Sequence, residues 1–120
     1  MEIFSKVLVS VVALEHLYIL YLEMFAWTTK APKVFKNFPK DLFPKTVALA
    51  ANQGLYNGFL SAGLLWSLFI TDAVWSKNIA CFFLGCVIVA GVYGAISASK
   101  RIFVVQAVPA ILALLVTLLV

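Results

Sequence analysis

The chain has 120 residues, of which 64% are hydrophobic and 12% charged, with a formal net charge of +4 and a mean hydropathy of +1.07. An ordinary soluble domain is about a quarter charged and about half apolar, and a fold this small leaves much of its surface exposed. That balance excludes a soluble globular enzyme, a disulfide-stapled secreted domain and a nucleic-acid-binding module, and predicts one membrane-embedded domain.

The first apolar run, 3–27, is long enough to cross a hydrocarbon core of about 30 Å. It carries Glu15, His16 and Glu23. Its first six residues hold one Lys and one Glu, and no small-residue cleavage site follows, which predicts a retained helix and not a signal peptide. Segment 28–46 holds Lys30, Lys33, Lys36, Lys40 and Lys45 against a single acid, Asp41. Pro32, Pro39 and Pro44 rule out one continuous helix there. Lysines interleaved with Phe35, Phe38 and Phe43 suit a segment anchored in the headgroup layer, or a lid.

Three further runs, 47–71, 78–99 and 102–120, contain no charged residue. Lipid cannot satisfy backbone groups, so these runs must be helical, and stretches such as 112–116 do not alternate as a barrel strand would. The expectation is an all-α, integral membrane bundle of four transmembrane helices. Seven basic residues fall in the first and third connections and two, Lys6 and Lys77, on the other side. The positive-inside rule then predicts a cell-membrane protein with both termini outside.

Cys81 and Cys86 are five apart, about 140° around a helix, so they should not bridge each other. Gly54, Gly58 and Ala62, and likewise Gly91 and Ala95, repeat every four residues. Such small-residue stripes permit close helix approach, either inside the bundle or in a homodimer. Pro109 predicts a kink that frees a carbonyl near Val105. Trp27, Trp66 and Trp75 fit interfacial positions.

Ionisable and amide side chains are expensive in a membrane helix and normally face the bundle interior. His16 and Glu23 share one stripe of the first helix, with Glu15 and Tyr18 beside it. Asn52 and Tyr56, and Gln53 and Asn57, are pairs four apart on the second helix. At about 1.5 Å per residue, Glu23 and Glu15 lie about 6 and 18 Å from the inner end, and the second-helix residues about 8–15 Å from it. The two ladders match in depth, and Tyr93 and Gln106 approach from the last two helices. The expectation is a single polar cavity open to the cytoplasm, lined by Glu15, His16, Glu23, Asn52, Gln53, Tyr56 and Asn57, with Tyr18, Tyr93 and Gln106 as secondary members. Glu15 is the candidate proton carrier. One histidine and two loosely spaced glutamates make no metal site, and no cofactor fingerprint is present.

The strings Glu15-His16, Leu22-Glu23-Met24-Phe25-Ala26-Trp27, Ala50-Ala51-Asn52-Gln53-Gly54-Leu55-Tyr56-Asn57-Gly58-Phe59 and Phe83-Leu84-Gly85-Cys86-Val87-Ile88-Val89-Ala90-Gly91 resemble those of the small bacterial membrane family known as domain of unknown function 1304. The resemblance spans essentially the whole chain. It implies a membrane protein of this architecture and no particular activity. Three readings remain open from the residues: a protein that binds or transports a small polar or amphipathic molecule, an intramembrane acid–base enzyme acting on a lipid, isoprenoid or quinone, and a structural or regulatory membrane subunit. The partners implied are membrane lipid, a small-molecule ligand and a second copy, with no nucleic acid.

Overall fold

A computed structural model describes residues 1–97 and 100–120. The fold is all-α, with no strand among the described residues. Helix α1 spans Ile3–Phe25. Glu2 opens it, its Oε1 accepting from the backbone N–H groups of Phe4 at 2.8 Å and Ser5 at 3.1 Å, which sets a carboxylate where the helix dipole favours one. The short α2 (Ala31–Val34) and a 3₁₀ turn (Lys40–Leu42) follow, then α3 (Val47–Phe69) and α4 (Ala73–Ser97). The last stretch is compound: α5 (Lys100–Ile102), a π-helical turn (Phe103–Ala107) and α6 (Val108–Leu119).

Helices α1 and α3 each end two residues short of the expected 27 and 71, α5 begins at Lys100 and not at 102, and the largest difference is at α4. Helix α4 starts at Ala73, five residues before the expected 78, because Asp72 caps it, accepting from Trp75 N–H at 3.0 Å. Lys77 then sits inside the first turns, where a long side chain can still reach water. Ser99, the expected end of that run, lies outside the described residues. Pro109 acts as expected but more locally. It has no N–H to offer the carbonyl four residues back, and the chain takes up the mismatch as the wider turn just before it.

The four principal segments pack as a ring in the order α1, α3, α4, α6, with α1 against α3 the most extensive pairing. The bundle measures 47 × 24 × 18 Å. Its core is aliphatic, built from Val9, Val12, Ala13, Leu64, Leu84, Val87, Ala110 and Ala113. Among the described residues, α1 and α4 are the helices both long and apolar enough to cross a membrane. Helix α3 has 23 residues, but Asn52, Gln53 and Asn57 lower its hydropathy. The final run is divided by the π turn, leaving 12 residues in α6.

The small-residue stripes are used within the chain. A Cβ on Gly54 would stand 2.6 Å from Met24 Cγ and 3.0 Å from Glu23 Cβ, and one on Gly58 2.8 Å from Leu20 Cδ1. On α4, a Cβ on Gly91 would meet Ala107 Cβ at 2.8 Å and its backbone N at 3.1 Å. Glycine therefore seats α1 on α3, and α4 on the π turn.

The long connection is folded and not laid flat. Phe43 is buried, and it forms a second core with Leu22, Ala26 and Ala31. The Trp27 ring lies 4.7 Å from that of Phe43 and within 6 Å of those of Phe35 and Phe38, centroid to centroid. Its Nε1–H donates to Thr46 Oγ1 at 3.0 Å, and that hydroxyl donates to the Leu42 carbonyl at 2.8 Å. The five lysines all point outward. Trp27 is thus the centre of an aromatic cap on the end of α1.

Candidate functional site: two polar centres on one helix

The polar residues of α1 separate into two groups, about 10 Å apart along the axis. In the first, His16 is fully buried. Its Nδ1 lies 2.9 Å from the Val12 carbonyl. A carbonyl only accepts, so Nδ1 carries the proton and Nε2 is left with its lone pair. Gln106 supplies the donor for that lone pair, its Nε2 standing 3.4 Å from His16 Nε2. The imidazole is therefore held neutral, in one tautomer, between α1 and the π turn.

Glu15 is excluded from this arrangement. Its Oε1 is 3.9 Å from His16 Nδ1, beyond hydrogen-bonding range, because consecutive residues on a helix do not face each other. That oxygen is buried and has no hydrogen-bond partner among the described residues. A buried carboxyl oxygen with no donor is a costly arrangement, and such groups concentrate at functional positions.

The second group joins α1 to α3. Asn57 is buried, and its Nδ2 donates to Glu23 Oε1 at 2.6 Å and to the Gln53 carbonyl at 3.3 Å. One turn farther along α3 on the same face, Ser61 Oγ donates to the Ala13 carbonyl at 2.8 Å. The spacing from Asn57 was the signal for Ser61, which sequence reasoning missed because serine is common in membrane helices.

The expected single cavity is corrected by these positions. Asn52 is exposed on the outside of α3, Gln53 and Tyr56 are exposed on the side of α3 that turns toward α4, and Tyr18 and Tyr93 are exposed as well. For Asn52 the reason is angular. Asn52 and Asn57 are five residues apart, about 140° around the helix, so only one of them can look toward α1, and Gly54 turns that face to be the one with Asn57. Tyr18 stacks instead on Tyr21, ring centroids 6.3 Å apart. Gln106, a secondary candidate, proves to be the partner of the histidine. Among the described residues no three His, Cys, Asp or Glu side chains gather as a metal would require. Cys81 and Cys86 are both free thiols.

Three comparisons bear on this arrangement. The family model DUF1304, described as "Protein of unknown function", matches residues 10–118. The "Uncharacterized protein YpaA" of Lactococcus lactis subsp. lactis (strain IL1403) is 37% identical over 117 residues, covering 96% of this chain and 97% of that protein. No solved structure matches the chain.

Proposed function

This chain belongs to the DUF1304 family, and from its two polar centres we propose that it is an integral membrane protein that binds or carries a small polar or amphipathic molecule. All four principal segments cross the bilayer in this reading, with the lysine-bearing connections on the cytoplasmic side. Burial supports the membrane part. Only 28% of the most apolar window of α1 and 22% of that of α4 are buried within the chain. A core helix of a soluble protein would be mostly covered. Lipid provides the missing cover for side chains such as Ile96, Phe69 and Val89.

The single observation behind the ligand part is the partnerless, buried Glu15 Oε1 beside an imidazole whose two nitrogens are already engaged. A purely structural carboxyl would hold a donor, as Glu23 does. Glu15 then serves as the proton-carrying group, Glu23 with Asn57 as the ligand-binding pair, and His16 with Gln106 as the scaffold that fixes their separation. Purified protein in proteoliposomes loaded with a pH dye tests this against a panel of short and long alkyl amines and alcohols. Addition of a bound compound should trigger proton movement in the wild type, and Glu15→Gln should abolish it. Proton movement indifferent to both Glu15→Gln and Glu23→Gln would refute the reading.

A further inference from the structure

The seam between α3 and α4 is closed at one end and open at the other. Near the turn joining the two helices Gly63 receives the Phe83 ring, which occupies the place a Cβ would take. Antiparallel helices touching at 63 and 83 bring residues 56 and 90 opposite each other two turns farther on. Each lies seven positions from its contact residue, only about 20° around the axis. A close-packed pair would bury both, yet Tyr56 is 50% exposed and Ala90 is exposed too. One turn beyond, Gln53 is exposed and Tyr93 is 70% exposed. The helices have parted.

The cause is the glycine seating. Gly54 and Gly58 draw this half of α3 onto α1, while Gly91 draws the facing half of α4 onto Ala107. The opposite seam, between α1 and the last segment, is bridged by His16 and Gln106. The bundle therefore opens sideways, between α3 and α4. Directly behind Tyr56 stands buried Asn57 holding Glu23.

Charge decides what fits. From Val7 to Phe25, throughout α3, from Asn78 to Ser97 and throughout α6 there is no Lys or Arg, while Glu15 and Glu23 are both present; the basic residues of the α4–α6 half, Lys77, Lys100 and Arg101, stand near the start of α4 and in α5. An anionic headgroup lodged between the helices would meet these acids, whereas an ammonium group would complement them. Tyr56 and Tyr93 at the mouth add ring faces that attract cations. Building on the binding site proposed above, we propose that its ligand is a membrane-resident amphiphile with an ammonium headgroup, which enters sideways between α3 and α4 and leaves its tail lying between Tyr56 and Ala90.

The test is binding of radiolabelled dodecyltrimethylammonium to the full chain in neutral maltoside micelles, competed by unlabelled dodecyltrimethylammonium, tetramethylammonium or dodecyl sulfate. The expected result is competition by the unlabelled dodecyl ammonium about tenfold or more better than by tetramethylammonium, with none by dodecyl sulfate. Ala90→Trp, which plugs the mouth, should lose dodecyltrimethylammonium binding, and Val89→Trp, one position round the helix, should keep it. Helical content by circular dichroism confirms folding of both variants, and the chain-length comparison in the wild type stands whatever the variants do. Equal competition by the two ammonium ions, or undiminished binding in folded Ala90→Trp, would overturn sideways entry and leave the polar-centre reading in place. Binding of dodecyl sulfate in preference would overturn the ammonium class. Binding unchanged in Glu23→Gln would remove the polar centre itself.

Discussion

Asn57 and Glu23 show how one residue pair organises a helix interface. Their bond joins positions 34 apart in sequence at 2.6 Å, with Asn57 buried and Glu23 half-buried. Interhelical hydrogen bonds in membrane proteins average well under 2 kcal/mol, whereas stranding one partner costs about 1–3 kcal/mol. Asn57→Leu and Glu23→Leu each strand one partner, so their separate costs should sum to more than the cost of the double variant Asn57→Leu/Glu23→Leu. Thermal unfolding in micelles, run as a double-mutant cycle, should return a coupling of about 1 kcal/mol. Additive effects would mean that the bond is incidental. His16 offers a sharper readout, because its tautomer is fixed from both sides. Nitrogen-15 chemical shifts of the ring should report a protonated Nδ1 and an unprotonated Nε2, and Gln106→Leu should move the Nε2 resonance while leaving Nδ1 bonded to Val12. At this scale the sequence was a partial guide. It singled out Glu23, Asn57, His16 and Gln106, which the structure pairs, since an acid, amide or imidazole in an apolar run is conspicuous. Which of them turn inward depends on where the neighbouring helix sits, and that is fixed by Gly54 and Gly58 and not by the polar residues themselves.

At the scale of elements, the glycine seats differ in what they press against, and so should their tolerance. A methyl at Gly54 meets Met24 Cγ, part of an unbranched side chain able to turn aside, and stands 3.0 Å from Glu23 Cβ and 3.3 Å from the Leu20 carbonyl, distances that ask for a shift of a few tenths of an ångström. A methyl at Gly91 meets the Cβ, Cα and backbone N of Ala107, none of which can move without displacing the π turn. Gly91→Ala should therefore lower stability by about 1–3 kcal/mol, and Gly54→Ala by less. Similar melting shifts for the two would contradict the close approach at Ala107. Pro109→Ala restores the missing N–H and should let the π turn relax toward α geometry. That would rotate Gln106 away from His16, visible as loss of the Nε2 perturbation. The helices of the four apolar runs were legible because long, charge-poor runs without period-two alternation favour helix over strand. The early start of α4 was not, because a helix continues through a lysine that can extend to water. The π turn was legible only as a kink at Pro109, since its width depends on how the last helix meets α4.

For the whole molecule, the aromatic cap and the lysine distribution make a joint statement about orientation. The cap presents five lysines on a folded, aromatic-cored platform at one end, and that end should face the cytoplasm. Cysteine substitutions at Lys33 and at Glu2, in a background lacking Cys81 and Cys86, should react with a membrane-impermeant maleimide from opposite sides of the membrane. Labelling of Lys33→Cys in intact cells would invert the topology. The cap was only half readable beforehand. Phenylalanine and lysine on alternating faces signalled an amphipathic segment, but not that the apolar face had a partner inside the chain in Trp27, Leu22 and Ala26.

Each helix pair is locked at its glycines, α1 with α3 and α4 with the π turn, and the pairs are joined by a short elbow at 70–72 and, on the opposite seam, by His16 with Gln106. The freedom this leaves is a splaying of α3 from α4 about the elbow. Helices of this length reach about 35 Å from that pivot, so a scissoring of only about 10° would shift their far tips by about 6 Å. Thermal agitation too small to unseat a single glycine would still be levered into a displacement wider than a methylene chain.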